Sequence, residues 1–483
     1  MSSSTRESAS APGFIEALGL WDVVAMNIVA VVGLRWISRG ARAGAPSVTL
    51  WMLACVAFFI PLAAALMELS SKHPDQGGVY AWTRRAFGPV HGFICGWCLW
   101  VNNLFYFPSL LLFVAANALL IFGDRFSGLA DSRAYAVAFV LIALWFCVAL
   151  NIVGLSVSKW LQHGGSVATW LPASLLIGFG AVAYASFGSA TSFAPSQLVP
   201  RGDFWSTMSL WSSMCFAFSG FEISSYVGQE IRNPTRTVPL GVLLAGMVVT
   251  LIYVGGSASV LIAVPASALA ELSGIADAVN LASARIGLAG FGALTGGLLA
   301  LGSLAGTSSW VGGAARVPFA AGVDRALPAA FARMHDKYRT PHVAIIIQGI
   351  VSTLIFLTSV FLTVSGASTT IQEAYDIMVN LTILIYFVPY MYIFLVLVRL
   401  RRGPDEGDGG HRLRIPGGRA GLYLVAICGF TATAVSLGLL FVPPAGTGNV
   451  LNYEANLIGQ AAIVLGIGLA FYWHSARRKE FVD

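Results

Sequence analysis

Two short stretches each place a glycine close to a charged residue in the middle of a long apolar segment: Ala30-Val31-Val32-Gly33-Leu34-Arg35 and Phe216-Ala217-Phe218-Ser219-Gly220-Phe221-Glu222. Glycine relaxes the backbone and weakens a helix interior. A charged side chain inside an apolar helix is costly unless it faces protein or water. Both stretches therefore predict a break in a helix, where freed N–H and C=O groups face a cavity.

The composition around these stretches is that of a polytopic α-helical membrane protein. The chain of 483 residues is 57% hydrophobic and only 10% charged, whereas a soluble protein carries about 25% charged residues. Lipid solvates such apolar surface and water does not. The polar N-terminal tail has no signal-peptide features, so we expect the first apolar segment to remain as a membrane span.

Twelve apolar segments are long enough to cross a membrane, which takes about 20 residues. The first, third, eighth and tenth exceed a simple crossing, which indicates a tilt or a break. The predicted spans cover about 19–45, 48–70, 89–122, 132–153, 158–186, 205–228, 238–264, 286–318, 342–364, 372–399, 419–441 and 452–474.

Basic residues favour one orientation of these spans. With the N-terminus in the cytoplasm, all but seven of the 28 Lys and Arg residues fall on the inner side. Positive charge is enriched in cytoplasmic loops. We therefore expect the protein in the inner membrane, with both termini in the cytoplasm. All seven histidines map to the same side, which argues against a histidine proton relay at the membrane midplane. The seven exceptions are Arg35, Arg39, Arg42, Arg125, Arg133, Arg201 and Arg285.

The two breaks fall in the first and sixth spans, the spacing expected if spans one to five and six to ten are inverted repeats. Helix N-termini at such breaks attract a carboxylate and freed carbonyls attract an ammonium, so a zwitterionic amino acid would match them. Alternatively, Gly33 and Gly220 only allow close helix packing. The predicted organisation is a polar tail (1–13), a core (14–400) with repeats at about 19–186 and 205–399, a loop (401–418), spans eleven and twelve (419–474) and a second tail (475–483).

Four groups of motifs, in order along the chain, resemble the amino acid–polyamine–organocation (APC) superfamily. The fourth and the third look similar to its glutamate/GABA antiporter branch. The motifs are Ala65–Ser71 with His73-Pro74 and Gly77–Trp82; Phe218–Glu222 with Glu230–Pro234 and Arg236–Pro239; Gly302–Gly306 with Asp324–Pro328 and Phe331-Ala332; and Ile415-Pro416-Gly417-Gly418.

The resemblance implies an all-α membrane protein with a LeuT-like fold, in which two inverted five-helix repeats are followed by two more helices. It also implies secondary active transport of amino acids. By position, Val31, Val32 and Gly33 would meet the substrate carboxylate. The resemblance further implies that Glu230 and Arg232 form cytoplasmic ion pairs. It places five residues at the second break, with Phe216 as a gate and Glu222 on the intracellular side. These residues are Phe216, Ser219, Gly220, Phe221 and Glu222.

The chain departs from the family pattern in two places. Val31-Val32-Gly33 replaces the usual Gly-Ser/Thr-Gly, so fewer unrestricted N–H groups are presented there. Span five lacks the mid-span lysine of some proton-coupled relatives. Thr307, with Ser308 and Ser309, could supply hydroxyls for sodium or substrate, or only pack between helices.

Two further sets of polar residues are candidate contacts. Asn102 or Asn103 on span three could bond a substrate, and we expect only one of them to face inward. Arg35, Arg39 and Arg42 share one helical face. On the external half of span one they would line a vestibule that attracts anions, which favours an acidic amino acid or its exchange for a decarboxylated amine. The alternative is that these arginines reach lipid phosphates.

Other functional classes fit the sequence less well. An intramembrane enzyme needs a catalytic pair or metal cluster at depth, a channel needs a continuous polar lining, and a nutrient sensor on this scaffold would add a signalling domain. We expect no cofactor, no metal site and no nucleic-acid partner. The expected partners are the lipid bilayer, an amino acid or amine substrate, and a coupling proton or sodium ion. Symport of neutral amino acids and polyamine transport remain alternatives, and the oligomeric state stays open.

Overall fold

The structure is a computed structural model that describes residues 16–74, 77–129, 132–200, 204–266, 274–285, 287–288, 291–323, 326–361, 371–402, 413–442 and 450–477. The predicted tail 1–13, most of the loop 401–418 and the last residues of the second tail lie outside these ranges.

Almost all regular secondary structure of the described chain is helical. Its helices are α1 (Leu20–Val31), α2 (Arg35–Ala41), α3 (Pro46–Ala54), α4 (Ile60–Lys72), α5 (Val79–Phe87), α6 (Pro89–Leu119), α7 (Arg133–Val153), α8 (Leu155–Phe187), α9 (Phe204–Ala217), α10 (Ile223–Tyr226), α11 (Pro234–Ala263), α12 (Gly274–Arg285), α13 (Phe291–Ala314), α14 (Arg316–Val323), α15 (His342–Phe361), α16 (Ile371–Arg402), α17 (Gly418–Leu439) and α18 (Val450–Arg477).

Ten of the twelve predicted spans are recovered among the described residues by length and composition. Nine are long apolar helices, and the tenth is the pair α1 and α2, bent by 47°. The sixth predicted span is divided into α9 and the short α10, so neither half is long enough alone. The described apolar stretch of the twelfth, Ala461–Trp473, is also shorter than a crossing. The count of twelve therefore stays a prediction.

Both predicted breaks lie in the quoted stretches. The first separates α1 from α2 at Val32, whose ψ of 93° is extended. A Cβ atom at Gly33 would lie 2.5 Å from the Trp36 ring, so that position requires glycine. The second separates α9 from α10 at Gly220, whose φ of 110° suits a residue without a side chain.

The two breaks lie at the centre of the bundle. Helix α1 packs against α8, α11 and α13, and α9 packs against α2 and α17. Small residues allow this close packing, because a Cβ atom at Gly165 of α8 would lie 2.1 Å from Ala305 of α13. Large apolar side chains such as Ile142, Leu424 and Ile427 are exposed on the outside, where lipid would cover them.

Candidate functional site

A cavity lies between the two helix breaks. It has about 310 Å³ of empty space, which includes its open mouth. Five of its eleven lining residues are aromatic, three are uncharged and polar, and three are aliphatic. Its lining residues are Ala30, Val31, Trp36, Asn102, Asn103, Tyr106, Phe216, Ala217, Ser219, Trp310 and Tyr386.

Backbone groups freed by the breaks are bound by side chains from other helices. The Tyr253 hydroxyl lies 2.7 Å from the Val31 carbonyl oxygen and 3.0 Å from that of Ala217, and it accepts from the Gly33 N–H at 3.1 Å. Trp310 donates from Nε1 to the Ala30 carbonyl at 2.9 Å. The expectation was that such groups face the substrate. In this conformation they are satisfied within the protein, as buried backbone groups must be.

Glu222 lies fully buried behind the cavity wall. Tyr386 and Tyr390 donate hydrogen bonds to its carboxylate, as do the Gly220 N–H at 3.1 Å and Tyr226 at 3.4 Å. Of the charged groups that the structure describes, no Lys, Arg or His is within ion-pair distance of it. The carboxylate is thus held by neutral donors, and Tyr386 connects it to the cavity.

Phe216, the predicted gate, lies in the cavity wall at the end of α9. Its ring is edge-on to Trp36 at 5.3 Å and to Tyr386 at 5.6 Å, and all three rings line the cavity. Ser219 also lines the cavity, and its hydroxyl donates to the Phe216 carbonyl at 2.5 Å. Phe221 points elsewhere, because its ring packs against Phe59 at 5.0 Å.

Asn102 and Asn103 differ from expectation, whereas Thr307 fits the alternative in which its hydroxyl only packs between helices. Both Asn102 and Asn103 line the cavity, although only one was expected to do so. Each donates its Nδ2 to the Leu99 carbonyl, because that oxygen is within reach of residues three and four positions later; their Oδ1 atoms remain for other donors. Thr307 donates to the Ser303 carbonyl at 3.0 Å and does not line the cavity, which fits the packing interpretation.

Arg35 is buried over the cavity, with only 3% of its surface exposed. Its guanidinium lies 4.7 Å from the Trp36 ring and 5.3 Å from that of Tyr106, and both rings line the cavity. It donates to the Tyr375 hydroxyl at 3.3 Å, and its Nε has no partner among the described residues. Such burial does not fit a lipid anchor. The exposed Arg42 does, and Arg39 is half-buried.

Hydrogen bonds tie the core together on the predicted cytoplasmic side. Arg316 donates two hydrogen bonds to Glu230, at 2.8 and 2.9 Å, and both residues are buried. A parallel bridge joins Leu18 to Ile231 next to them. The predicted ion pair of Arg232 is absent from the described contacts, because its side chain instead donates to the Glu16 carbonyl at 3.4 Å. The pairing expected for Glu230 is present, with Arg316 as partner.

Comparison with known proteins gives the family. A family profile described as amino acid permease matches residues 18–468. The chain belongs to the amino acid permease family. The resemblance to the APC superfamily is therefore confirmed, and the permease is a multi-pass membrane transporter by family.

Three relatives cover most of this permease. An uncharacterized transporter of Legionella pneumophila is 28% identical over 92% of this chain and 94% of its own. The glutamate/gamma-aminobutyrate antiporter of Lactococcus lactis is 26% identical over 89% and 85%. The probable agmatine/putrescine antiporter of the same species is 24% identical over 74% and 73%. The predicted likeness to the glutamate/GABA antiporter is confirmed.

The fold also matches that of a solved crystal structure. The permease matches the crystal structure of MhsT in complex with L-phenylalanine with a TM-score of 0.59 and 14% identity, covering 95% of this chain and all of that one. At this identity the match speaks for the fold alone. The LeuT-like architecture that the sequence predicted is confirmed.

Proposed function

We propose that this permease is a secondary active transporter that moves an amino acid through the cavity between its two helix breaks by alternating access. The observation that carries the proposal is the position of that cavity, since both discontinuous helices contribute to its wall. Substrate sites of such transporters lie at the interface of the repeats, where helices are interrupted. A substrate here can therefore influence both repeats at once.

Glu222 is the group that we assign to coupling with a proton. Its carboxylate is buried among hydroxyl and N–H donors, without a cation among the described residues. Proton binding would remove its charge and an acceptor, so the bonds from Tyr386 and Tyr390 would rearrange. Because Tyr386 lines the cavity and Gly220 forms the break, such a rearrangement would reach both substrate and helix. A proton thus has a structural path to gating.

The substrate that we favour is an acidic amino acid, with exchange for a decarboxylated amine as its transport mode. Arg35 supports this choice, because it places a buried positive charge directly over two rings of the cavity wall. A side-chain carboxylate that reached Arg35 would gain a charge-assisted hydrogen bond from the Arg35 Nε, which has no partner among the described residues. The antiporter of glutamate and gamma-aminobutyrate among the relatives supports the same class.

We further propose the inner-membrane orientation with both termini in the cytoplasm. The distribution of Lys and Arg supports it. The ties of Glu230 to Arg316 and of Leu18 to Ile231 would then close the cavity toward the cytoplasm.

Counterflow in proteoliposomes tests the proposed function. Vesicles loaded with excess unlabelled substrate should accumulate labelled glutamate transiently, with saturation, and gamma-aminobutyrate inside should support the same uptake. Alanine, leucine and putrescine are the comparison substrates. Uptake of alanine or leucine alone would keep the transporter and reject the acidic class. Lack of counterflow with all twenty amino acids and common amines would reject the proposed function.

A further inference from the structure

The N-terminal end of α1 is bound to α8 by a carboxylate–histidine pair. His163 Nε2 lies 2.7 Å from Asp22 Oδ1, and Lys159 Nζ lies 3.9 Å from Asp22 Oδ2. The Gly19 N–H also donates to Asp22 Oδ2, at 2.8 Å. Lys159 reaches the chain before α1 as well, through the Ala17 carbonyl at 3.4 Å. The pair thus joins the first turn of α1 to α8, the last helix of the same predicted repeat.

This pair lies at the end of α1 that is farthest from the helix break. Helix α1 ends at Val31, where the helix is interrupted and the chain bends before α2. A rotation of α1 about the break would move its opposite end, where Asp22 lies, through the largest distance. Separating α1 from α8 therefore requires the contact between Asp22 and His163 to be broken.

Histidine changes its charge between about pH 5 and 8. His163 is 37% exposed in its side chain, so protons from water can reach it. A neutral imidazole donates one hydrogen bond to Asp22, whereas a protonated one adds a positive charge to the same contact. The charged groups described around His163 are Asp22 on α1 and Lys159 on α8. Asp22 attracts a protonated His163, and Lys159 repels it.

We propose that Asp22 and His163 form a pH-sensitive latch on the side of the membrane where the N-terminus lies. Protonation of His163 strengthens the latch, holds α1 against α8 and slows the opening of the cavity toward that side. The attraction of Asp22 for the imidazolium outweighs the repulsion from Lys159, because Asp22 is in direct contact and partly buried. The latch rests on the alternating-access mechanism proposed above and adds control by the pH of one compartment.

Hydrogen–deuterium exchange of the full-length protein in detergent tests the latch without a transport assay. The peptide that covers residues 16–31 reports the opening of α1. Wild type and His163→Gln are compared at about pH 5.5 and pH 8, so that intrinsic exchange rates cancel at each pH. Glutamine keeps a hydrogen-bond donor but cannot become charged. At the lower pH we expect wild type to exchange about two- to fivefold more slowly than the variant, and at the higher pH equally fast.

Two further variants make the result specific. His91→Gln removes another histidine of the same side, which contacts Tyr392 and not α1, and it should behave as wild type in this peptide. Asp22→Asn removes the other half of the latch and should abolish the pH effect as His163→Gln does. If the ratio of the exchange rates of wild type and His163→Gln is the same at both pH values, the latch is overturned. Because exchange is measured without substrate, that result would leave the proposed transport function standing.

Discussion

The Tyr386 hydroxyl donates a hydrogen bond to the buried Glu222 carboxylate, and the ring of the same tyrosine lines the cavity between the two helix breaks. One side chain thus touches the proposed substrate space on one side and the proposed proton site on the other. A substrate that moves Tyr386 changes the surroundings of Glu222. The relation also runs in reverse, because coupling between two sites is reciprocal.

Glu222→Gln should lower the transport rate about tenfold and remove the part of its pH dependence that does not come from His163. The glutamine amide cannot ionise. Its NH2 group would meet N–H and O–H groups that donate to the Glu222 carboxylate, so donors would face a donor. Counterflow at about pH 5.5 and 7.5 measures both effects. Glu68→Gln is the matched control, since Glu68 is also buried but bonds Arg401 and the Ile415 N–H at the helix ends. A pH response as large as that of wild type in Glu222→Gln would remove Glu222 from the coupling mechanism, whereas a smaller remaining response fits the latch at His163.

Tyr386→Phe and Tyr390→Phe each delete one hydroxyl from the same carboxylate, but only Tyr386 lines the cavity. We therefore expect similar losses of stability, about 1–3 kcal/mol each, with a rise in substrate KM in Tyr386→Phe alone. Thermal unfolding gives the first quantity and initial-rate counterflow the second. Equal KM values in the two variants would mean that Tyr386 does not transmit between the sites.

Local sequence predicted the two breaks well, and the structure shows why. Gly33 and Gly220 act through their own backbone positions, and neighbours in sequence determine those positions. The burial of Arg35 and Glu222 likewise follows from the cost of a charge in lipid. Such signals are contained in a few consecutive residues.

The partners of the breaks were not predicted, because they come from distant parts of the chain. Tyr253 is separated by 222 positions from Val31, and Trp310 by 280 from Ala30. Aromatic residues are common in membrane helices, so neither stands out as a backbone partner in the sequence. The signal that could have found them is a requirement: freed backbone groups in a membrane need donors and acceptors. That requirement states how many partners are needed but does not identify them.

Tyr253→Phe should destabilise the protein by about 1–3 kcal/mol. The variant keeps the ring between Trp51 and Phe218 but removes the one hydroxyl proton that the Val31 and Ala217 carbonyls share. Thermal unfolding in detergent measures the loss. Tyr392→Phe is a suitable comparison, since its half-buried hydroxyl contacts only His91 among the described bonds. Similar melting temperatures for the two variants would contradict a special role of Tyr253 at the breaks.

Arg35→Gln should lower glutamate counterflow about tenfold while alanine counterflow, if present, changes little. The variant removes the positive charge over the cavity, and a hydrogen bond to a charged group is worth about 1.5–3 kcal/mol. Arg42→Gln is the control, because Arg42 is exposed and follows the end of the same helix. Equal effects of Arg35→Gln on both substrates would remove the reason to favour an acidic one.

The most direct test of the central claim, that substrate crosses through the cavity between the breaks, is counterflow by a variant in which that cavity is filled. Ala30 lines the cavity, so Ala30→Leu would occupy part of its small volume. Ala134→Leu adds the same side chain at an exposed position on α7. With both variants monodisperse in detergent, we predict that Ala30→Leu loses counterflow of the transported amino acid and that Ala134→Leu retains it. Wild-type counterflow by Ala30→Leu would contradict the assignment of this cavity as the transport site.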